Sequence, residues 1–127
     1  MFALMMSCCI LLSLSISVFA EQAQPYYTDT NRTKITLSFS SGKATCSGTI
    51  IGKSGTNSIT NCAVTLTASN GDVIASWNNL SSTGTILAFT KTTSDITKGE
   101  TYTLSVIATV NRNGSSETVS DSVSKTY

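Results

Sequence analysis

The sequence predicts an all-β domain, an antiparallel two-sheet sandwich of about seven strands, following an N-terminal signal-peptide helix. Three observations predict it. Stretches rich in Val, Ile and Thr recur at intervals of roughly ten residues, separated by Gly- and Asn-containing turns. Within these stretches apolar residues alternate with polar ones, as in sheets with one solvated face. The first twenty residues differ from everything after them: they carry no charge and run Ile10-Leu11-Leu12-Ser13-Leu14-Ser15-Ile16-Ser17-Val18-Phe19-Ala20.

That apolar run divides the 127-residue chain into a signal peptide over 1–20, a flexible leader over 21–32 and a β-sandwich domain over 33–127. Val18-Phe19-Ala20 places small residues where a signal peptidase accepts them, so cleavage is expected after Ala20. The start departs from the usual pattern, because Met1 to Met6 include no Lys or Arg. A retained anchor is the alternative, although the run is near the lower limit for crossing a bilayer. Cys8 and Cys9 precede the apolar run, which argues against lipid attachment, and they leave with the signal. The expected localisation is secreted or extracellular, with no membrane association after cleavage. The leader holds the sole proline, Pro25, and the polar run Thr28-Asp29-Thr30-Asn31.

All eight basic and seven acidic residues follow Ala20, so the exported portion keeps a net charge of +1. Such a balance creates no field to draw the chain to nucleic acid, and no nucleic-acid partner is expected. Two cysteines remain, Cys46 and Cys62. In an exported chain an even pair reads first as a disulfide, here expected to contribute about 3 kcal/mol through loop closure. A metal site would need further ligands and a reactive thiol would need a base, and the chain has no His.

The strands follow in order. Residues 33–40 alternate with Ile35, Leu37 and Phe39 on one face, and Ser41-Gly42 turns the chain. Residues 43–51 place Ala44, Cys46, Gly48 and Ile50 on one face, followed by a loop over 52–57. Residues 59–68 direct Cys62, Val64, Leu66 and Ala68 inward, and Asn70-Gly71 is a hairpin signal because both residues tolerate positive φ. Residues 72–77 form a strand with Val73, Ala75 and Trp77 inward, and 78–84 form a polar loop. Residues 85–90 contain Ile86-Leu87-Ala88-Phe89, apolar on both faces, which leaves their register open. The clearest alternation is Tyr102, Leu104, Val106, Ala108 and Val110, followed by the hairpin signal Asn113-Gly114. Residues 117–125 close the domain with Val119, Asp121 and Val123 on one face, and the charge at Asp121 marks an edge strand.

The run Ile96-Thr97-Lys98-Gly99-Glu100-Thr101-Tyr102-Thr103-Leu104-Ser105-Val106, with the hairpin at Asn113-Gly114, resembles the sixth and seventh strands of a fibronectin type III or related immunoglobulin-like domain. The resemblance implies a corner role for Tyr102, whose hydroxyl would bond nearby backbone. Gly42-Lys43-Ala44-Thr45-Cys46-Ser47-Gly48-Thr49, Ala75-Ser76-Trp77 and Lys98-Gly99-Glu100-Thr101-Tyr102 together resemble small exported proteins of Firmicutes-type bacteria. That similarity implies a fold and a compartment but no activity. The pattern departs in two places. Cys46 and Cys62 are 16 positions apart, too close for the usual second-to-sixth-strand bridge, and Trp77 falls later than the core Trp of immunoglobulin domains.

The residues point away from catalysis. Without His, a Ser–His–Asp triad is impossible. Gly48 to Gly52, followed by Lys53-Ser54, has three residues between its glycines where a phosphate loop needs four and a following helix. The seven acids show no paired spacing for glycoside hydrolysis or calcium. Asn31, Asn79 and Asn113 head glycosylation-type triplets, which chance supplies in a chain this rich in Ser and Thr. No enzyme, cofactor or metal is expected. The expected function is a non-catalytic exported domain that binds an extracellular protein, a glycan or cell-wall material. Trp77, Asn78 and Asn79 are the candidate contacts, with the indole stacking on a ligand and the amides reading hydroxyls. The alternative reading of Trp77 is a core residue, and the alternative function is a structural or assembly subunit that associates through sheet edges. The second gains weight if residues 85–90 lie on an edge.

Overall fold

β-Branched residues fit a pleated, half-buried surface, and this chain supplies them at nearly every stretch between turns. The computed structural model describes residues 27–127. They form seven strands: β1 (Thr30–Ser40), β2 (Lys43–Gly52), β3 (Thr56–Ala68), β4 (Val73–Thr83), β5 (Ile86–Thr93), β6 (Thr101–Arg112) and β7 (Ser115–Thr126). The expected signal helix and most of the leader lie outside the described residues.

The strands make two antiparallel sheets, ordered β1-β2-β5 and β4-β3-β6-β7. Between them lies one core, built from Leu37, Ala44, Ile50, Leu87 and Phe89 of the first sheet and Ile59, Val64, Leu66, Leu104 and Val110 of the second. The alternation in β6 is obeyed along its length: Tyr102, Leu104, Val106, Ala108 and Val110 are all buried. In β5 the ambiguous apolar run resolves with Leu87 and Phe89 inward and Ile86 and Ala88 outward. β7 is an edge strand, as the charge at Asp121 indicated.

The expected elements differ from the observed ones at three places, each with a physical cause. β1 begins at Thr30, three residues before the expected start at Thr33, because Thr30 and Arg32 pair with Gly52 and Ile51 of β2 while Glu117 of β7 holds the Asp29 amide and the Thr30 hydroxyl. β4 does not end at Trp77. Asn79 adopts a positive φ of 59° and forms a bulge, so the chain continues as strand to Thr83. Asn61 on β3 does the same at φ 51°. Each bulge absorbs one residue, which lets Ile59 and Cys62, three apart, both face the core. The odd spacing from Trp77 to Leu80 on β4 is accommodated in the same way.

Two tyrosine hydroxyls brace the end of the sandwich that carries the β1–β2 and β5–β6 connections. Tyr102 is buried, and its hydroxyl accepts a hydrogen bond from the Thr97 amide at 2.7 Å, across the β5–β6 corner. This is the role that the resemblance implied for it. Tyr127 accepts from the Gly42 amide at 2.8 Å, tying the C-terminus to the β1–β2 turn. Phe39 packs between the two rings, with centroids 5.8 Å from Tyr102 and 5.0 Å from Tyr127.

The bridge expected between Cys46 and Cys62 is not formed: both are free and fully buried. Alternation places both side chains inward, but on β2 and β3, which belong to different sheets. Bridges between packed sheets do form, as in immunoglobulin domains, but here the two sulfurs are unbonded, each packed into the core cluster. The thiols pack there as small apolar groups. Burial pushes the Cys46 thiol up to about 11 and raises Cys62 as well.

Candidate recognition surface

Hydrogen-bond register decides which outward side chains become neighbours. Across the four-stranded sheet, Val73, Thr67, Thr103 and Ser124 form one rung. Ser76, Thr65, Ser105 and Ser122 form the next. Further along, Thr60, Thr109 and Thr118 form another, followed by Thr83, Ser58, Asn111 and Ser116. No charged side chain occupies any of these rungs. Some of the side chains bond one another: Thr103 with Ser124 at 2.7 Å, Ser116 with Asn111 at 2.7 Å, and Asn111 with Ser58 and Thr60 at 3.1 and 3.0 Å.

The middle rung is different. Ala63 pairs with Ile107, which pairs with Ser120. On the other side of Ala63 lies the β4 bulge, with Asn78 and Asn79 between the Trp77 and Leu80 registers. Ile107 is 48% exposed, which is unusual for a large apolar side chain in the middle of a central strand. The outer face thus has an apolar centre at Ala63 and Ile107, two exposed amides beside it, hydroxyls around it, and a second exposed apolar residue, Val73, at the β4 edge.

Trp77, Asn78 and Asn79 lie together on β4, an edge strand, but they do not act as one flat platform. Trp77 is half-buried and packs against the core cluster, while Asn78 and Asn79 are exposed. Val73 on the same strand, expected inward, is 62% exposed, because a third irregularity in the β3–β4 register turns it out. Cys46 and Cys62 point into the core, on the opposite side of the strands from this face. Sequence reasoning missed Ile107, although a signal was present: it is the one apolar residue at an outward position of β6. Recognising it needed the pairing with Ala63, which no single strand reveals.

The other outer face is more polar in character. Lys34, Thr36, Ser47, Thr49, Ala88 and Thr90 line a shallow hollow over the three-stranded sheet. Underneath, Gly48 has no room for a side chain: a Cβ there would lie 2.5 Å from Phe89 Cζ and 2.8 Å from Ile35 Cγ2.

The sandwich edges bear on the assembly reading, and three of the four, β5, β4 and β7, are each blunted by a device of their own. β5, which carries most of residues 85–90, is an edge, but Lys91 occupies one of its inward positions. β4 is an edge interrupted by bulges. On β7 the Tyr27 hydroxyl donates to the Ser120 carbonyl and accepts from its amide, both at 3.1 Å. Glu117 accepts from the Thr28 and Asp29 amides at 2.6 and 2.9 Å and from the Thr30 hydroxyl at 3.0 Å. Asp29 in turn accepts from Arg112 Nη1 at 3.2 Å and from the Ser115 hydroxyl at 3.1 Å.

Among the described residues no group of three or more His, Cys, Asp or Glu side chains converges as a metal site would require. No protein-family model matches the chain, and no curated protein matches it. The surface therefore has to be read from its own chemistry.

Proposed function

We propose that this chain is a non-catalytic exported domain that binds an extracellular protein, glycan or cell-wall ligand through the outer face of the β4-β3-β6-β7 sheet. The observation that carries this reading is the charge-free face with Ile107 exposed at its centre. A neutral surface of hydroxyls and amides around a small apolar patch suits a ligand that is itself uncharged and hydroxyl-rich. Such a ligand would exchange hydrogen bonds with water for hydrogen bonds with the sheet, and would cover Ile107 and Ala63. Export rests on the apolar, charge-free run that ends at Val18-Phe19-Ala20.

The fold supports kinship with fibronectin type III and immunoglobulin-like domains in two ways. Tyr102 makes the corner hydrogen bond. β4 pairs with β3, whereas in constant-type immunoglobulin domains the fourth strand joins the other sheet. That difference favours the fibronectin type III side of the resemblance.

The second reading, an assembly subunit, is favoured by the edge position of β5. The inward Lys91, the bulges of β4 and the capping of β7 weigh against it. Ile107→Lys tests the first reading, because it places a charge on the face without touching the core. Retention of the protein on a panel of immobilised neutral glycans and wall polymers is expected to disappear in this variant. Equal retention of both proteins would place recognition elsewhere.

A further inference from the structure

The capping of β7 has a consequence for how two copies of this chain meet. Ser120 directs both its amide and its carbonyl to Tyr27, and the Ser122 amide bonds the Asp121 carboxylate at 2.8 Å. The even-numbered residues of β7 therefore point their backbone groups away from β6, along an edge that a further strand can join. We propose that this edge is a latent homodimer interface, held closed by the Tyr27 hydroxyl and by Asp121.

The occupant is a second copy of β7, on the evidence of charge and pattern. An antiparallel pair centred on Asp121 brings Ser120 opposite Ser122 of the partner strand, so the outward backbone groups meet in register. In that register Glu117 faces Lys125 twice and Val119 faces Val123 twice. Only the central pair, Asp121 against its own copy, is unfavourable, since like charges directly opposite repel. The outward residues on both sides are Ser and Thr, so the joined sheet would continue the same neutral face across eight strands. The Glu117 carboxylate serves both states. In the monomer it holds the Thr28 and Asp29 amides, and in the dimer it is drawn to Lys125. The monomer is favoured because Tyr27 occupies the hydrogen-bonding site at Ser120 and Asp121 opposes its copy.

The test is the oligomeric state of the purified protein by light scattering and sedimentation over a range of concentrations. The unaltered protein is expected to stay monomeric at about 100 µM. Tyr27→Ala with Asp121→Asn uncovers two backbone hydrogen bonds and removes the repulsion. Each change is worth about tenfold in association, so the double variant is expected to dimerise about a hundredfold more tightly. Adding Ser120→Pro removes the outward amide at an edge position where proline is tolerated, and is expected to restore the monomer. Three results would overturn the proposal. The first is a double variant that stays monomeric while its Ser120 amide exchanges faster. The second is unchanged exchange at Ser120, which would mean that Tyr27 does not close the edge. The third is a dimer that survives Ser120→Pro, which would put the interface elsewhere. None of these readouts involves ligand retention, so they leave the recognition reading to its own test.

Discussion

Tyr102→Phe isolates one hydrogen bond in the corner that joins the two sheets. The substitution deletes only the hydroxyl that accepts from the Thr97 amide at 2.7 Å. The ring stays buried, still against Phe39 at 5.8 Å. The Thr97 amide loses its partner in a partly buried corner, at a cost of about 1–1.5 kcal/mol. The lower end applies to the extent that water reaches the amide. For a domain of this size the loss corresponds to a fall in Tm of roughly 5–10 °C. In urea it corresponds to a midpoint shift of about 0.5–1 M with an unchanged slope. Tyr102→Ala removes the ring as well and is expected to cost about 3–5 kcal/mol, as for other large-to-small core changes. The comparison matters because it separates the hydroxyl from the packing. A Tyr102→Phe variant melting within about 1 °C of the unaltered protein would refute a structural role for the corner hydrogen bond. A variant as unstable as Tyr102→Ala would mean that the loss spreads beyond one bond.

Further outcomes follow from the same structure. Gly48→Val is expected to destabilise by about 1–3 kcal/mol through overpacking against Phe89 and Ile35, and pairing it with Phe89→Leu should recover part of the loss in a urea melt. Cys46 and Cys62 should resist alkylation in the native protein and both react after denaturation, measured by mass spectrometry. Because burial pushes the folded Cys46 thiol up to about 11, the folded state holds a proton that the unfolded chain releases from about pH 9. Its stabilising effect is whole below pH 9 and is lost as pH rises toward 11, so Cys46→Ala should show a shallower decline of Tm over that window. Arg112→Ala removes the partner of Asp29 and the bond to the Ser54 carbonyl, and should speed hydrogen exchange at the Thr28 and Asp29 amides while leaving β6 protected.

Most of the fold was legible because β-sheet alternation is a strong local signal. Val106, flanked by Leu104 and Ala108, could only face inward, and it does. The departures trace to features that are set by pairing, not by composition. Asn61 and Asn79 take left-handed backbone conformations inside strands, where their short polar side chains are tolerated. Their effect on register depends on the strand opposite. The polar run 78–84 therefore read as a loop although it is mostly strand. The register of β5 was undetermined because both of its faces carry apolar residues. Only the sheet that receives Leu87 and Phe89 distinguishes them. Thr28, Asp29 and Thr30 read as leader, and their order comes from Glu117, 87 to 89 positions away. The disulfide expectation rests on number and compartment, which do not specify how β2 and β3 place the two thiols. The proposed recognition face is half visible in the sequence. Asn78 and Asn79 were singled out for their amides, but Ile107 and Ala63 become their neighbours only through the β3–β6 ladder.

Nuclear magnetic resonance mapping of the amides, with a glycan or wall polymer that retains the protein, tests the proposed recognition surface most directly. Binding at the outer face of the four-stranded sheet predicts shift changes that cluster at Thr65, Ser105, Ile107 and Ser120, along with the side-chain amides of Asn78 and Asn79. Changes confined to the connecting loops, or to the hollow around Lys34, would contradict it.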